Sequence, residues 1–180
     1  MIQWDPLTLS ELQSTLRGFP GLWWVAGGVA IELAVGSPVR SHGDIDILVL
    51  RRDQELLRAH LKEWIVRESD AGTSLWCRQT LRRPWSFEVL LDDAKGDRWV
   101  SRRCTAVTRP LAEMGWRTSI GIPVLAPEIV LFYKAKDTRE HDNVDFEAVL
   151  PQLDSKARTW LNDAIGHIRP NHPWRRACSV

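Results

Sequence analysis

The tetrapeptide Asp44-Ile45-Asp46-Ile47 holds the residue types best suited to chemistry. In an extended segment alternate side chains share a face, so Asp44 and Asp46 point one way while Ile45 and Ile47 point into a core. At roughly 3.3 Å of rise per residue the two aspartate Cα atoms lie roughly 6.6 Å apart. Two carboxylates at that spacing can grip divalent ions about 3.5–4 Å from one another, the separation used in two-metal phosphoryl chemistry. Hard oxygen ligands favour Mg2+ completed by triphosphate oxygens and water. Taken alone, the pair reads first as decoration on the solvent face of an edge strand, and the surrounding residues tip the reading toward a metal site.

Upstream, Gly27-Gly28 sits where an apolar strand, Leu22 to Ala26, meets a helix, Val29 to Val35. Glycines at such a junction let the backbone approach a phosphate, and the helix N-terminus directs N–H groups at the anion. Between that helix and the aspartates, the loop 39–43 carries Arg40 and His42. Arg40 is suited either to a phosphate contact or to a surface ion pair, and His42 either to the nucleotide or to positioning the loop by a hydrogen bond. Downstream, Glu88 interrupts the apolar run Trp85 to Leu91, and an ionised group there needs a partner or a metal. It can also be an ordinary outward-facing residue. Asp92 and Asp93 are rivals that follow the run and read as turn residues. Lys134 and Lys136 can offset phosphate charge or lie solvated on a helix. The expected site is therefore Asp44, Asp46 and Glu88 for metal and catalysis, with Gly27, Gly28, Arg40, His42 and Lys134 toward a nucleotide.

The elements that must position these residues are legible in places. Thr8 with Glu11 forms a capping box for a helix over 7–17, with Leu9, Leu12 and Leu16 on one face. Asp44 to Leu50 reads as a strand, and Asp53 caps a helix over 54–64 with Leu56, Leu57, Leu61 and Trp64 as its apolar stripe. Three β-like stretches follow at 64–68, 73–78 and 85–91, and residues 98–108 suggest another strand. From Ala126 the pattern is helical: Pro127 suits a first turn, Asp142 or Asn143 caps a helix through Leu150, and Asp154 caps one through about Gly166. The expectation is an α+β domain, a mixed sheet over 1–125 followed by a helical segment over 126–180 packed on it as one unit.

Composition narrows the partners. In 180 residues, 24 Lys and Arg nearly balance 23 Asp and Glu, a formal net charge of +1. A domain living on long nucleic acid usually carries a basic excess, so that class is not expected. Three cysteines without CxxC spacing argue against a disulfide framework or a zinc site and for a reducing cytoplasm. No apolar stretch is long enough to span a bilayer, and no signal peptide is visible at the N-terminus. Ten tryptophans against one tyrosine are read mainly as core filling, with Trp85, Trp99 and Trp116 best placed to stack on a base.

With these residues assembled, the segment from Trp23 to Leu50 resembles the nucleotidyltransferase superfamily, the polymerase-β-like fold. More narrowly, Arg40-Ser41-His42-Gly43-Asp44-Ile45-Asp46 is similar to the signature of aminoglycoside 2''-nucleotidyltransferases and lincosamide nucleotidyltransferases. The stretches Ala126-Pro127-Glu128-Ile129, Lys134 to Asp137, His141-Asp142 and Asp145-Phe146 are similar to the C-terminal region of relatives in that group. The resemblance implies a mixed sheet with helices on one face and a metal site on the other. It implies Mg2+-dependent adenylyl transfer from ATP to a hydroxyl of a small molecule, an antibiotic-like compound among the candidates. Glu88 would take the third carboxylate position as ligand or base, where relatives more usually carry Asp. Small members of the superfamily also modify a partner protein, and a nucleotide-binding module without turnover is a further alternative. The kinase-like HxD in His42-Gly43-Asp44 does not extend, since that motif requires Asn where this chain has Val49. No GxSxG elbow supports a serine hydrolase.

Overall fold

The computed structural model describes residues 3–68, 73–78 and 84–178, which leaves Met1 and Ile2 of the N-terminal reading outside the described residues. A nine-stranded mixed sheet runs β3-β4-β5-β2-β1-β9-β8, with β6 added to β5 and β7 to β6. The strands are β1 (Trp23–Ala26), β2 (Asp46–Leu50), β3 (Ile65–Glu68), β4 (Thr73–Cys77), β5 (Phe87–Lys95), β6 (Arg98–Val100), β7 (Thr108–Pro110), β8 (Gly115–Arg117) and β9 (Pro123–Leu125). Among the described residues seven α-helices accompany them: α1 (Leu9–Thr15), α2 (Gly27–Val35), α3 (Gln54–His60), α4 (Pro127–Lys134), α5 (Glu140–Val149), α6 (Ser155–Ile168) and α7 (Trp174–Cys178). The α+β expectation holds.

At the centre, β2 pairs antiparallel with β1 and parallel with β5, in a register that sets Ala26 opposite Asp46 and Asp46 opposite Glu88. These strands are buried on both faces: Ile47 and Val49 on one side, Leu48 and Leu50 on the other. Apolar burial on two faces is what fixes the register, because a one-residue slip would carry Asp46 into the core.

Local chemistry sets the helix limits. The Thr8 hydroxyl accepts from Glu11 N at 3.2 Å while Thr8 N donates to the Glu11 carboxylate at 2.9 Å, closing the capping box of α1. Asp154 accepts from Ala157 N at 2.7 Å and starts α6. Helix α3 is shorter than expected and stops before Leu61. In so short a helix Leu57 and Leu61, four apart, face inward, and Leu56, about 100° around the axis, stays exposed. Asp53 makes no cap bond there and accepts instead from Leu22 N at 3.3 Å, tying α3 to the start of β1. Helix α5 begins at Glu140, so Asp142 lies inside its first turn, where its carboxylate accepts from Arg139 N at 2.9 Å.

Two other expectations fail. Residues 98–108 hold the short strand β6 and only the first residue of β7, with a turn between them, and Asp92 and Asp93 continue β5 through to Lys95. Asp92 is buried and takes hydrogen bonds from Trp99 Nε1 at 2.7 Å, Arg102 N at 3.0 Å and the Tyr133 hydroxyl. Asp93 pairs with Arg51 at 3.1 Å. Trp99 is fully buried beside Tyr133 and Trp160 and is unavailable to a base. Trp85 carries the Arg67 guanidinium over its ring, and Trp116 lies on edge strand β8.

One apolar cluster runs from α1 through the sheet to α4, α6 and α7. Within it a buried ion pair, Arg109 Nη1 to Glu128 Oε1 at 2.6 Å, fastens β7 to the first turn of α4. Removing one partner of such a pair strands a charge out of water. Glu128→Ala should therefore lower unfolding free energy by about 3–5 kcal/mol in chemical denaturation. A midpoint matching that of the unaltered protein would show that the pair does not fasten α4.

Candidate active site

The central register brings three carboxylates together. Ile45 O accepts from Glu88 N at 2.9 Å, extending the β2–β5 pairing one step beyond the strand and holding the Asp44–Asp46 segment beside Glu88. A ligand oxygen of Asp44, of Asp46 and of Glu88 all lie within 4.8 Å of one another. Asp92 and Asp93 do not join this group.

The electrostatics of the trio call for a cation. Burial, then the neighbouring charges of Asp44 and Glu88, push the Asp46 carboxyl up to about 7. Burial also raises Glu88, with Asp44 adding to it and a hydrogen bond from Thr73 opposing. The nearby cations are already engaged: Lys134 Nζ sits 2.7 Å from Asp142 and 2.9 Å from Asp145, and Arg139 Nε sits 3.1 Å from Asp142. Three crowded oxygen donors with unbalanced negative charge fit a hard divalent ion.

The glycine pair does something the sequence did not show. Gly27 has φ +61°, and a Cβ there would stand 2.0 Å from Asp46 Oδ2. At Gly28 a Cβ would meet His42 Cε1 at 2.2 Å and Arg40 Nη2 at 2.6 Å. Helix α2 starts at Gly27 itself, so its first turn packs directly on Asp46 and on the loop. The missing side chains make room for the site's own residues.

Arg40 and His42 are likewise committed inside the protein. Arg40 grips Asp145 of α5 with two bonds, Nε to Oδ1 at 2.9 Å and Nη2 to Oδ2 at 3.1 Å. His42 Nε2 lies 3.0 Å from Glu32 Oε1, off the direction of a good hydrogen bond. The same Glu32 oxygen accepts from Val39 N at 2.8 Å and Arg40 N at 3.0 Å, so one carboxylate on α2 holds the loop that leads into the aspartates. Glu32 escaped the sequence reading, which took Asp142 as a helix cap and Asp145 as part of the family resemblance but assigned neither a partner at the site. The last two hold Lys134, which is buried in an ion-pair cluster and not solvated on a helix face. Against the opposing effect of burial, Lys134 and Arg139 draw the Asp142 carboxyl down to about 2.

Asp46 and Gly27 line a cleft of about 370 Å3 whose other wall comes from Val130, Tyr133 and Lys134 of α4 and Asp142 of α5. The site thus lies between the sheet and the C-terminal helices, not on a helix-free face. Leu90, Arg103, Asp137 and Arg139 complete the lining that matters for charge and shape.

A family model described as aminoglycoside-2''-adenylyltransferase matches residues 8–149. No curated protein sequence matches. Among solved structures the fold is similar to that of ANT(2'')-Ia in complex with adenylyl-2''-tobramycin, with 17% identity, a TM-score of 0.61, and 87% of this chain and 94% of that one covered. It is also similar to the lincosamide antibiotic adenylyltransferase LnuA in its lincomycin-bound form, with 15% identity, a TM-score of 0.61, and 83% and 100% covered. A nucleotidyltransferase-like protein from Paracoccidioides brasiliensis shares 15% identity with a TM-score of 0.52, over 94% of this chain and 89% of that one.

The raised Asp46 carboxyl gives a pH signature. In the folded, metal-free protein it stays protonated up to about 7, against 3.8 ordinarily. The folded state therefore holds an extra proton between these values, and stability falls as pH rises through that window and levels off above it. Asp46→Asn should flatten this decline when melting temperature is followed against pH in a chelator. Parallel profiles for the two proteins would dismiss the assignment. Adding Mg2+ at pH 8 should raise the melting temperature of the unaltered protein and leave that of the variant unmoved.

Proposed function

We propose that this chain, which belongs to the aminoglycoside-2''-adenylyltransferase family, transfers AMP from ATP to a hydroxyl group of a small molecule in a Mg2+-dependent reaction. The observation that carries the reading is the trio Asp44, Asp46 and Glu88, with oxygens within 4.8 Å of one another and charge left unbalanced by the chain. These three residues would hold the metal, which when bound neutralises triphosphate charge and polarises the reacting phosphate.

The remaining roles belong to side chains. Glu88, raised by burial, is suited to take the proton from the attacking hydroxyl, because a base works best when its affinity for a proton approaches that of the medium. Lys134 and Arg139 line the cleft beside Asp46 and offset the charge that moves onto the leaving pyrophosphate. Arg40 and His42 act one step back, fixing the loop that presents Asp44. The α4–α5 wall restricts water at the reacting centre. Relatives named for tobramycin and lincomycin suggest an acceptor of drug-like size, and the cleft of about 370 Å3 accommodates part of one.

Incubation with Mg-ATP and a panel of aminoglycosides, lincosamides and simpler hydroxyl compounds should yield a product heavier by one AMP in mass spectrometry. AMP attached to a protein instead would replace the small-molecule reading with protein modification. Glu88→Gln should lower kcat by roughly 10²–10⁴-fold, the range for loss of a general base, while the fold survives. Unchanged turnover in that variant would remove Glu88 from the chemistry.

A further inference from the structure

Among the described residues three cations line the cleft beside Asp46: Arg103, Lys134 and Arg139. Two of them are already engaged, Lys134 by Asp142 and Asp145 and Arg139 by Asp142. Arg103 has no described carboxylate within ion-pairing distance. Its guanidinium makes one hydrogen bond among the described residues, Nη1 to the Tyr133 carbonyl at 2.7 Å, close to the C-terminal end of α4. That bond satisfies a carbonyl the helix leaves open, and it occupies one of five guanidinium donors. Burial, then the Arg102 charge, lowers the hold of Arg103 on its proton, as befits a guanidinium kept partly out of water beside a like charge.

The guanidinium is held in place within the chain. Its carbon lies 5.2 Å from the centre of the Tyr133 ring, and Arg103 N donates to Ser101 Oγ at 3.1 Å. The buried Asp92 carboxylate accepts from the Tyr133 hydroxyl and from Arg102 N, so one residue of β5 sets both the ring and the backbone that carries Arg103. Glu88, Leu90 and Asp92 alternate onto one face of β5. Glu88 belongs to the carboxylate trio, Leu90 lines the cleft and Asp92 meets Tyr133. The cleft therefore leads from Gly27 and Asp46 past Leu90 to Tyr133 and Arg103. Asp137, also on its wall, attracts Arg103 only at a distance.

We propose that Arg103, seated on Tyr133, binds the two phosphates of the nucleoside triphosphate that leave as pyrophosphate, and so sets the preference of this site for a triphosphate over a monophosphate. The inference deepens the adenylyl-transfer reading and rests on it for the place of the nucleotide, while the phosphate contact itself does not need turnover. With the α-phosphate at the trio, the remaining phosphates carry their charge into a cleft whose other two cations are shared with Asp142 and Asp145. The uncountered fork of Arg103 matches phosphate oxygens two at a time. A neutral base against this wall would leave the guanidinium charge uncompensated.

The test compares the full chain with its Arg103→Gln variant. Each is titrated calorimetrically, in saturating Mg2+, with α,β-methylene-ATP, with inorganic pyrophosphate and with AMP. The variant should bind α,β-methylene-ATP and pyrophosphate about ten- to hundredfold more weakly, the loss of one charge-assisted contact, and bind AMP as the unaltered protein does. Equal binding of α,β-methylene-ATP by the two proteins overturns the proposal. A comparable loss for AMP moves Arg103 to the nucleoside and overturns it equally. Should Arg103→Gln fail to fold for want of its bond to α4, Arg103→Lys decides, since its ammonium can still donate to the Tyr133 carbonyl but offers no fork. That variant should lose severalfold more affinity for α,β-methylene-ATP than for AMP, and an unchanged ratio overturns the proposal. In turnover, Arg103→Gln should raise KM for ATP and leave KM for the acceptor as it was. Transfer with an unaltered KM for ATP defeats the inference and leaves the reaction standing. No transfer to any acceptor, alongside Arg103-dependent binding of α,β-methylene-ATP, defeats the reaction reading and leaves the phosphate contact standing.

Discussion

Mutual repulsion among Asp44, Asp46 and Glu88 is the constraint to which the rest of the structure answers. Carboxylates do not gather by themselves, and their proximity is imposed by the parallel register of β2 and β5, itself fixed by apolar packing on both faces of the central strands. Within the fold the resulting charge is only partly countered, which is the condition under which a cation binds with advantage.

Around that constraint the protein builds a frame from ion pairs that lie off the reacting centre. Glu32 holds the loop from one side, and Arg40, Asp145, Lys134, Asp142 and Arg139 form a continuous chain of opposite charges joining the loop to α4 and α5. Because Lys134 touches two carboxylates at the cleft wall, its charge is already shared within the protein. Its position is fixed in advance, so a ligand meeting it would not bear the cost of ordering it. The family assignment accords with this frame, since the matched region 8–149 takes in both Gly27 and Asp145.

Much of the site was readable along the chain where its parts are close in sequence. Asp44-x-Asp46 alternates on a strand, Gly27-Gly28 marks a strand–helix junction, and Glu88 stands out against an apolar run. The Thr8 capping box, the Asp154 cap and the first-turn proline were equally plain, because they depend on residues three or four apart. What escaped depends on distant partners. Asp145 entered only through the family resemblance because its partner Arg40 lies far away in sequence, and Asp92 resembled a turn residue because nothing local shows that Trp99 and Tyr133 enclose it. Strands β6 to β9 span only three residues each, too short for alternation to register. The glycines were recognised for closeness of approach, yet what approaches is the enzyme's own Asp46, His42 and Arg40.

The bond from Arg40 to Asp145 joins positions 105 residues apart. Contacts of such sequence separation form late when a chain folds, since the intervening loop must be closed before they return any stabilisation. During synthesis from the ribosome, β1, α2 and β2 emerge long before the aspartate that steadies their loop. The early chain therefore displays its acidic residues before the ion pair that steadies their loop can form. A piece of the chain ending before α5 thus lacks the ion pair that ties the Asp44 loop to the C-terminal helices.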